Sequence, residues 1–162
     1  MTGMTLIVKT IARWIKSLIF LYGIYITLYG HLTPGGGFAG GVILVCSFIL
    51  LTLAFGKKNV LRKLSKTLAS ELDSIGALFF LVIAVLGMFI GGVFFGNFFQ
   101  KNIPGREFAL FSAGMIPLCN IAIAVKVGSS LFMVFIILAV LRVVEREGHL
   151  EMIQQPGMGE DE

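Results

Sequence analysis

The sequence predicts an all-α integral membrane protein with four transmembrane helices, and three observations lead to that fold class. Of the 162 residues, 57% are hydrophobic and only 14% are charged, whereas a soluble domain has about 45–50% apolar and about 25% charged residues. No charged side chain lies between Lys16 and Lys57. Four apolar segments reach the about 20 residues that a spanning helix requires. The composition leaves no room for a separate soluble domain, so we treat residues 1–162 as a single membrane domain.

The apolar runs define the predicted elements. The helices are expected at residues 11–30, 38–55, 72–99 and 117–144. A basic loop at residues 56–71 connects helices two and three. Within it, Leu61, Leu64 and Leu68 recur at helical spacing, which fits either a short amphipathic helix or a solvated loop. The C-terminal tail covers residues 145–162, and its last part, Gln154–Glu162, is expected to be poorly ordered or docked on a partner.

The distribution of basic residues predicts that both termini are cytoplasmic. Ten of the thirteen Lys and Arg residues fall in the N-terminal segment, in the loop 56–71 and after helix four, which share one side of the membrane. Lys101, Arg106 and the intramembrane Lys126 are the other three. Short cytoplasmic loops carry an excess of Lys and Arg. The same clustering accounts for the net charge of +4 without a nucleic-acid partner.

The N-terminal segment resembles a signal peptide, because Lys9, Arg13 and Lys16 precede an apolar run. That run ends at Tyr29 and Gly30 without a small-x-small cleavage site. We therefore expect a retained first helix.

The most unusual segment is the break Pro34–Gly37 between the first two helices. Proline has no backbone N–H and glycine opens conformations with positive φ. One interpretation is a turn that joins two helices. The other is a functional interruption that lines water or packs inside protein. His31 and Thr33 lie beside it. Either His31 is at the outer membrane interface, where water completes its hydrogen bonds, or it is a member of a proton relay.

Glycines at a spacing of four predict close contact between helices. Small residues at this spacing let helix backbones approach, which is how helices associate in lipid. A short chain with several such faces suits a multisubunit complex better than an isolated bundle. The pairs are Gly36 with Gly40, Gly37 with Gly41, Gly87 with Gly91, and Gly92 with Gly96.

Lys126 is the strongest single candidate for a functional residue. It lies nine residues beyond Pro117, about 13 Å along a helix, which is close to the middle of an about 30 Å hydrocarbon layer. A charge there costs about 2.5–3.5 kcal/mol or more. Either the side chain snorkels to the surface, or it meets water or an acid of another subunit, since we expect no carboxylate of this chain's own membrane segments to pair with it. Ser129 and Ser130 share its helical face, and Asn120 is expected to hydrogen-bond across helices. The candidates for an ion path are therefore Lys126, His31, Thr33, Ser129, Ser130 and Asn120.

No catalytic, cofactor-binding or metal-binding constellation is apparent in the sequence. It contains no nucleophile elbow, no phosphate-binding loop and no paired intramembrane acids. Cys46 and Cys119 both fall in apolar runs and are interpreted as small apolar residues. We therefore predict a protein that is not an enzyme, with no cofactor.

The run Gly30–Gly41 resembles the signature of one family, the B subunit of multisubunit Mrp-type monovalent cation/proton antiporters. In that family a helix ends in Gly-His and the next opens with Pro-Gly-Gly-Gly-Phe-x-Gly-Gly. The similarity extends to Leu6–Thr10 at the start of the chain and to Leu51–Gly56 at the end of helix two. It is strong over the first third of the chain and elsewhere rests on helix count and layout.

The resemblance implies a four-helix subunit, inactive alone, that packs among other membrane subunits in the lipid bilayer of a prokaryotic cell membrane. The assembled complex would exchange Na⁺ for H⁺. The same module belongs to membrane-bound hydrogenase and sulfur-reducing complexes. Pro34 and Phe38 fall on motif positions linked to function, and Arg106 is compared with a basic outer-loop position.

Two departures from the family pattern favour the respiratory variant. Asn120 stands where the antiporter subunits carry Asp, and those subunits lack an obvious lysine at the position of Lys126. The hypotheses are thus an ion-path subunit of an antiporter module, the same module in a respiratory complex, and a purely structural assembly subunit. A self-contained channel or carrier is the least favoured.

Overall fold

A computed structural model describes residues 4–56, 66–97, 110, 112–146 and 149–154. Four helices form the body of the protein. They are α1 (Leu6–Leu28), α2 (Gly37–Phe55), α3 (Lys66–Gly91) and α4 (Ile116–Val140). All four are long and apolar enough to cross a membrane, which confirms the predicted all-α membrane fold class. A short antiparallel hairpin of β1 (Leu141–Arg146) and β2 (His149–Gln154) follows α4, with Leu141 opposite Gln154 and Arg146 opposite His149.

The helices pack in the order α1, α2, α4, α3. Helix α2 lies between α1 and α4, and α4 also packs along α3. A small apolar core, formed by Val45, Ala69, Phe132 and Ile136, joins α2, α3 and α4. Most other large apolar side chains point outward, as expected of helices whose solvent is lipid.

The third helix differs from its predicted bounds at both ends. It begins at Lys66 rather than residue 72, so Leu68 belongs to a spanning helix and not to the basic loop. Leu61 and Leu64 lie outside the described residues. It ends at Gly91 rather than residue 99, because Gly92 adopts a φ of 76°, which breaks a right-handed helix.

The fourth helix ends at Val140, so the prediction of helix to residue 144 was wrong. Residues 141–146 pair with residues 149–154, so the first part of the tail forms a hairpin, and residues 155–162 lie outside the described residues. Arg142, Glu145 and Arg146 end the apolar run, and the adjacent pair Val143 and Val144 has the β-branched side chains that favour strands.

The paired glycines of α2 contact two different helices. A Cβ at Gly41 would lie 2.8 Å from the Ala124 carbonyl oxygen of α4, and one at Gly37 would collide with the Asn120 backbone. A Cβ at Gly40 would collide instead with Thr27 of α1. These glycines therefore let α2 approach α4 and α1 closely within this chain.

The glycines at the end of α3 do not form a helix–helix face. The chain folds back after Gly91, so that a Cβ on Gly87 or Gly91 would meet the backbone of Gly96 at 2.8 Å or 3.2 Å. Phe95 stabilises this reversal by donating its backbone N–H to the Ala84 carbonyl at 3.4 Å. Gly92 and Gly96 lie beyond the helix, so the prediction of a second helical pair there was wrong.

Candidate functional site: an intramembrane ion pair on α3 and α4

Lys126 forms an ion pair with Asp73 of α3. The Lys126 Nζ lies 3.0 Å from Asp73 Oδ1. The Ser130 hydroxyl, one helical turn further along α4, donates a short hydrogen bond to the same carboxylate oxygen. Lys126 and Ser130 stand at i and i+4, so they share a helix face. We call this cluster of Asp73, Lys126 and Ser130 the ion-pair site.

The pairing corrects the expectation that no carboxylate of this chain could reach Lys126. Asp73 was included in the predicted helix three, residues 72–99, as its second residue. Because α3 begins at Lys66, Asp73 lies two turns inside it, about 10 Å from its start at 1.5 Å per residue. One signal in the sequence could have indicated close packing here, namely the glycine three positions after Asp73.

Gly76 allows the two helices to approach closely at this point. A Cβ at Gly76 would lie 2.9 Å from the Lys126 backbone nitrogen and 3.1 Å from the Ala122 carbonyl oxygen. Asp73 and Gly76 are one turn apart, so they lie on the same face of α3. Gly76 has no glycine partner four residues away, so the glycine spacing did not predict this contact.

The ion-pair site lies within two of the spanning helices, on the side of the bundle. Lys126 follows Ile116, the first residue of α4, by ten residues, which is about 15 Å, and its ammonium group is directed to Asp73. Its side chain is 46% exposed and that of Asp73 is 32% exposed. An ionised pair so placed marks an ion path, a proton relay or a contact with another subunit.

Ser129 does not belong to the ion-pair site. Its hydroxyl donates to the backbone carbonyls of Val125 and Lys126, at 2.7 and 2.9 Å, and its side chain is buried. Both hydrogen bonds of the Ser129 hydroxyl therefore lie within α4.

The remaining polar candidates gather at the end of the bundle that carries the α1–α2 connection, which we call the turn end. His31 Nε2 lies 3.2 Å from the Ser112 hydroxyl, just before α4. Thr33 donates its hydroxyl to the Tyr29 carbonyl at 3.0 Å, so it closes the end of α1.

Asn120 joins α4 to the beginning of α2. Its Oδ1 accepts the backbone N–H of Gly37 at 3.2 Å, and its side chain is only 8% exposed. The N-cap residue Gly36 has no side chain to provide this bond. Asn120 thus supplies from another helix the acceptor that a local cap usually supplies. Its Nδ2 has no hydrogen-bond partner among the described residues.

The motif residues form the α1–α2 connection itself. Gly36 is buried with a φ of 96°, a conformation that favours glycine. Pro34, Gly35 and Phe38 face outward. Arg106 lies outside the described residues.

The candidate residues therefore divide into two separate groups. Lys126 and Ser130 belong to the ion-pair site, whereas His31, Thr33 and Asn120 belong to the turn end. No hydrogen bond found in the described part of the chain links the two groups. Within those residues, no three His, Cys, Asp or Glu side chains lie close enough to hold a metal ion.

Comparison with known proteins places these features in context. Residues 7–144 match the model of a domain related to the MnhB subunit of Na⁺/H⁺ antiporters. An uncharacterized protein of Methanocaldococcus jannaschii, MJ1307, is 41% identical over 127 residues, which cover 76% of this chain and 48% of that protein. The putative antiporter subunit mnhB2 of Staphylococcus aureus is 35% identical over 92 residues, covering 57% of this chain and 64% of that subunit.

One solved structure is also similar. A chain of the membrane-bound sulfane sulfur reductase, an archaeal respiratory membrane complex, superposes with a TM-score of 0.65 at 30% sequence identity. The match covers 83% of this chain and 57% of that one. The chain thus spans about half to two thirds of the length of the proteins that it resembles.

Proposed function

The chain belongs to the family of MnhB-related subunits of Na⁺/H⁺ antiporters, and from this premise we propose that it serves as a non-catalytic subunit of a monovalent cation/proton antiporter module. It is a multi-pass protein of a prokaryotic cell membrane, and its partners are other membrane subunits. In the proposed role it contributes to assembly of the complex and borders a hydrated path for Na⁺ or H⁺. The large subunits would carry the exchange itself.

The ion-pair site is the observation that supports the path. Charged side chains within membrane segments are rare because each costs about 2.5–3.5 kcal/mol or more at a helix centre. A purely structural contact between α3 and α4 would not require that cost, since small residues alone hold helices together in lipid. An acid, an ammonium group and a hydroxyl in one cluster are groups that can exchange a proton or face a hydrated cation.

A pair of variants separates an ion path from a structural role. Lys126→Ala leaves Asp73 charged and without its partner, whereas the double variant Lys126→Met with Asp73→Leu removes both charges and fills the space with apolar atoms. Replacing both partners of a buried pair is often neutral or stabilising, whereas removing one is destabilising. We therefore expect the double variant to assemble at least as well as Lys126→Ala.

The measurement is Na⁺-dependent proton exchange in membrane vesicles, with assembly followed in parallel on native gels. If the site borders the path, the double variant assembles but its exchange falls towards that of vesicles without the complex. Wild-type exchange in the assembled double variant would contradict the ion-path role. It would leave the second candidate, an assembly subunit whose ion pair acts only through packing.

The similarity to a sulfane sulfur reductase chain supports a third candidate, the same module within a respiratory complex. Here the subunit would have the same position beside the ion-translocating subunits, and a redox arm would drive them. Purification of the complex from its native membrane, followed by identification of the co-purifying subunits, distinguishes the two settings. Antiporter subunits alone would indicate the antiporter, and redox subunits the respiratory complex.

A further inference from the structure

The exposed side of the ion-pair site adjoins a face of α3 that differs from the rest of the protein's outer surface. Ser70, Asp73, Ser74 and Ala77 stand at i, i+3, i+4 and i+7, so they share one side of the helix. Ser70, Ser74 and Ala77 are all exposed. We call these four residues together with Lys126 the polar face.

The polar face is small as well as polar. The Ser74 hydroxyl donates to the Ser70 carbonyl at 3.1 Å. The Ser74 side chain therefore lies against its own helix and does not project from the polar face. Beyond Ala77 the exposed positions of α3 carry large apolar side chains, which suit lipid tails; they include Leu78, Phe79, Leu81 and Phe89. Small residues on a membrane helix permit another helix to approach closely.

The ion-pair site has unused donors on this face. An ammonium group has three N–H donors, and Lys126 uses one of them, on Asp73, among the described residues. Asp73 Oδ1 accepts from both Lys126 and Ser130, but its Oδ2 accepts no hydrogen bond from the described residues. Two N–H donors of Lys126 and one oxygen of Asp73 are therefore left for a further partner, and lipid tails can bond neither.

We propose that the polar face is the docking surface for a transmembrane helix of another subunit of the complex. That helix would carry a side-chain amide opposite the ion-pair site, because an amide oxygen can accept from Lys126 and an amide N–H can donate to Asp73. The small residues let the two backbones approach, and the amide completes the hydrogen bonding of both charged groups. The inference depends on membership of a multisubunit family and not on ion passage through the site.

Photocrosslinking in the intact complex tests this docking. A benzoylphenylalanine at position 78 replaces a leucine that is 60% exposed at the edge of the polar face. The matched control is the same probe at position 18 of α1, where the native leucine is 69% exposed. We expect the probe at position 78 to form a covalent adduct with one other membrane subunit, in higher yield than the probe at position 18.

A second substitution in the same background ties the adduct to the polar face. Ser74→Leu adds bulk where the partner helix would approach and should remove most of the adduct, whereas Ser74→Ala keeps the surface small and should preserve it. Three results would overturn the proposal: a subunit adduct no stronger at position 78 than at position 18, an adduct between two copies of this chain, or an adduct unaffected by Ser74→Leu. Because the readout is a covalent adduct, failure here is distinguishable from loss of cation exchange.

Discussion

The contact between α2 and α4 depends on the absence of a side chain at Gly41, and Gly41→Ala tests it. The added Cβ would lie 2.8 Å from the Ala124 carbonyl oxygen, 3.0 Å from Ala124 Cα and 3.2 Å from Val127 Cβ. Favourable contacts between carbon atoms begin at about 3.5 Å. The two nearest atoms belong to the backbone of α4, so relief requires the helices to move apart by about half an ångström.

The expected cost is the balance of two effects. Overpacking a close-packed site costs about 1–3 kcal/mol. Alanine is intrinsically the better helix former by about 1 kcal/mol, which offsets part of that cost. A net loss of up to about 2 kcal/mol would lower an equilibrium constant by up to about thirtyfold. We therefore expect clearly less assembled complex in membranes that carry Gly41→Ala.

Gly128→Ala is the matched control, because it makes the same change at the same interface. The nearest atom to its added Cβ is the Gly41 carbonyl oxygen at 3.4 Å, an ordinary contact, so the helix-forming advantage should dominate. Native gels and the thermal stability of the extracted complex report both variants. Equal assembly of Gly41→Ala and wild type, or equal losses in both variants, would refute the packing of α2 on α4 described here.

Three further variants test individual hydrogen bonds. Ser130→Ala removes one of the two donors to Asp73 but keeps the ion pair, so cation exchange should fall less than in Lys126→Ala; a larger fall would contradict the arrangement. Asn120→Ala leaves the Gly37 N–H buried without its acceptor, at a cost of about 1–3 kcal/mol, and should lower the melting temperature of the complex. Asn120→Asp should largely preserve it, since the acceptor is retained and a carboxylate suits a helix N-terminus. Asn97→Ala removes the hydrogen bonds to the Ala113 carbonyl and the Met115 N–H, which join the segment after α3 to the segment before α4. It should likewise lower the melting temperature of the complex. An unchanged melting temperature would count against these bonds as a stabilising connection.

The sequence predicted the elements that depend on composition and local chemistry. Four apolar runs predicted four spanning helices, and the adjacent glycines at positions 40 and 41 predicted close packing. What the sequence could not show was which helix meets each glycine. That depends on how the helices are arranged, and the two glycines proved to contact α1 and α4 separately.

The partner of Lys126 was missed for a related reason. Asp73 and Lys126 are 53 residues apart, and their meeting depends on how α3 and α4 are aligned along their length. That alignment follows from the fit of Gly76 against Ala122 and Lys126, a packing detail that no local pattern reveals. The end of α3 was missed because residues 92–97 are as apolar as the helix itself, and only the conformation of Gly92 ends it.

Because the ion-pair site and the turn end are separate, variants at the two places should have different effects on folding and on cation exchange. At the turn end, the hydrogen bonds of Asn97 and Asn120 connect neutral groups and join segments of this one chain. The charges of the ion-pair site are instead partly exposed on the side of the bundle, where a neighbouring subunit or water can complete their hydrogen bonding. Loss of a turn-end bond should therefore weaken folding and exchange together, since less complex survives. Neutralisation of both charges at the ion-pair site should affect exchange without an equal loss of folded chain, because the apolar replacements are compatible with the membrane interior.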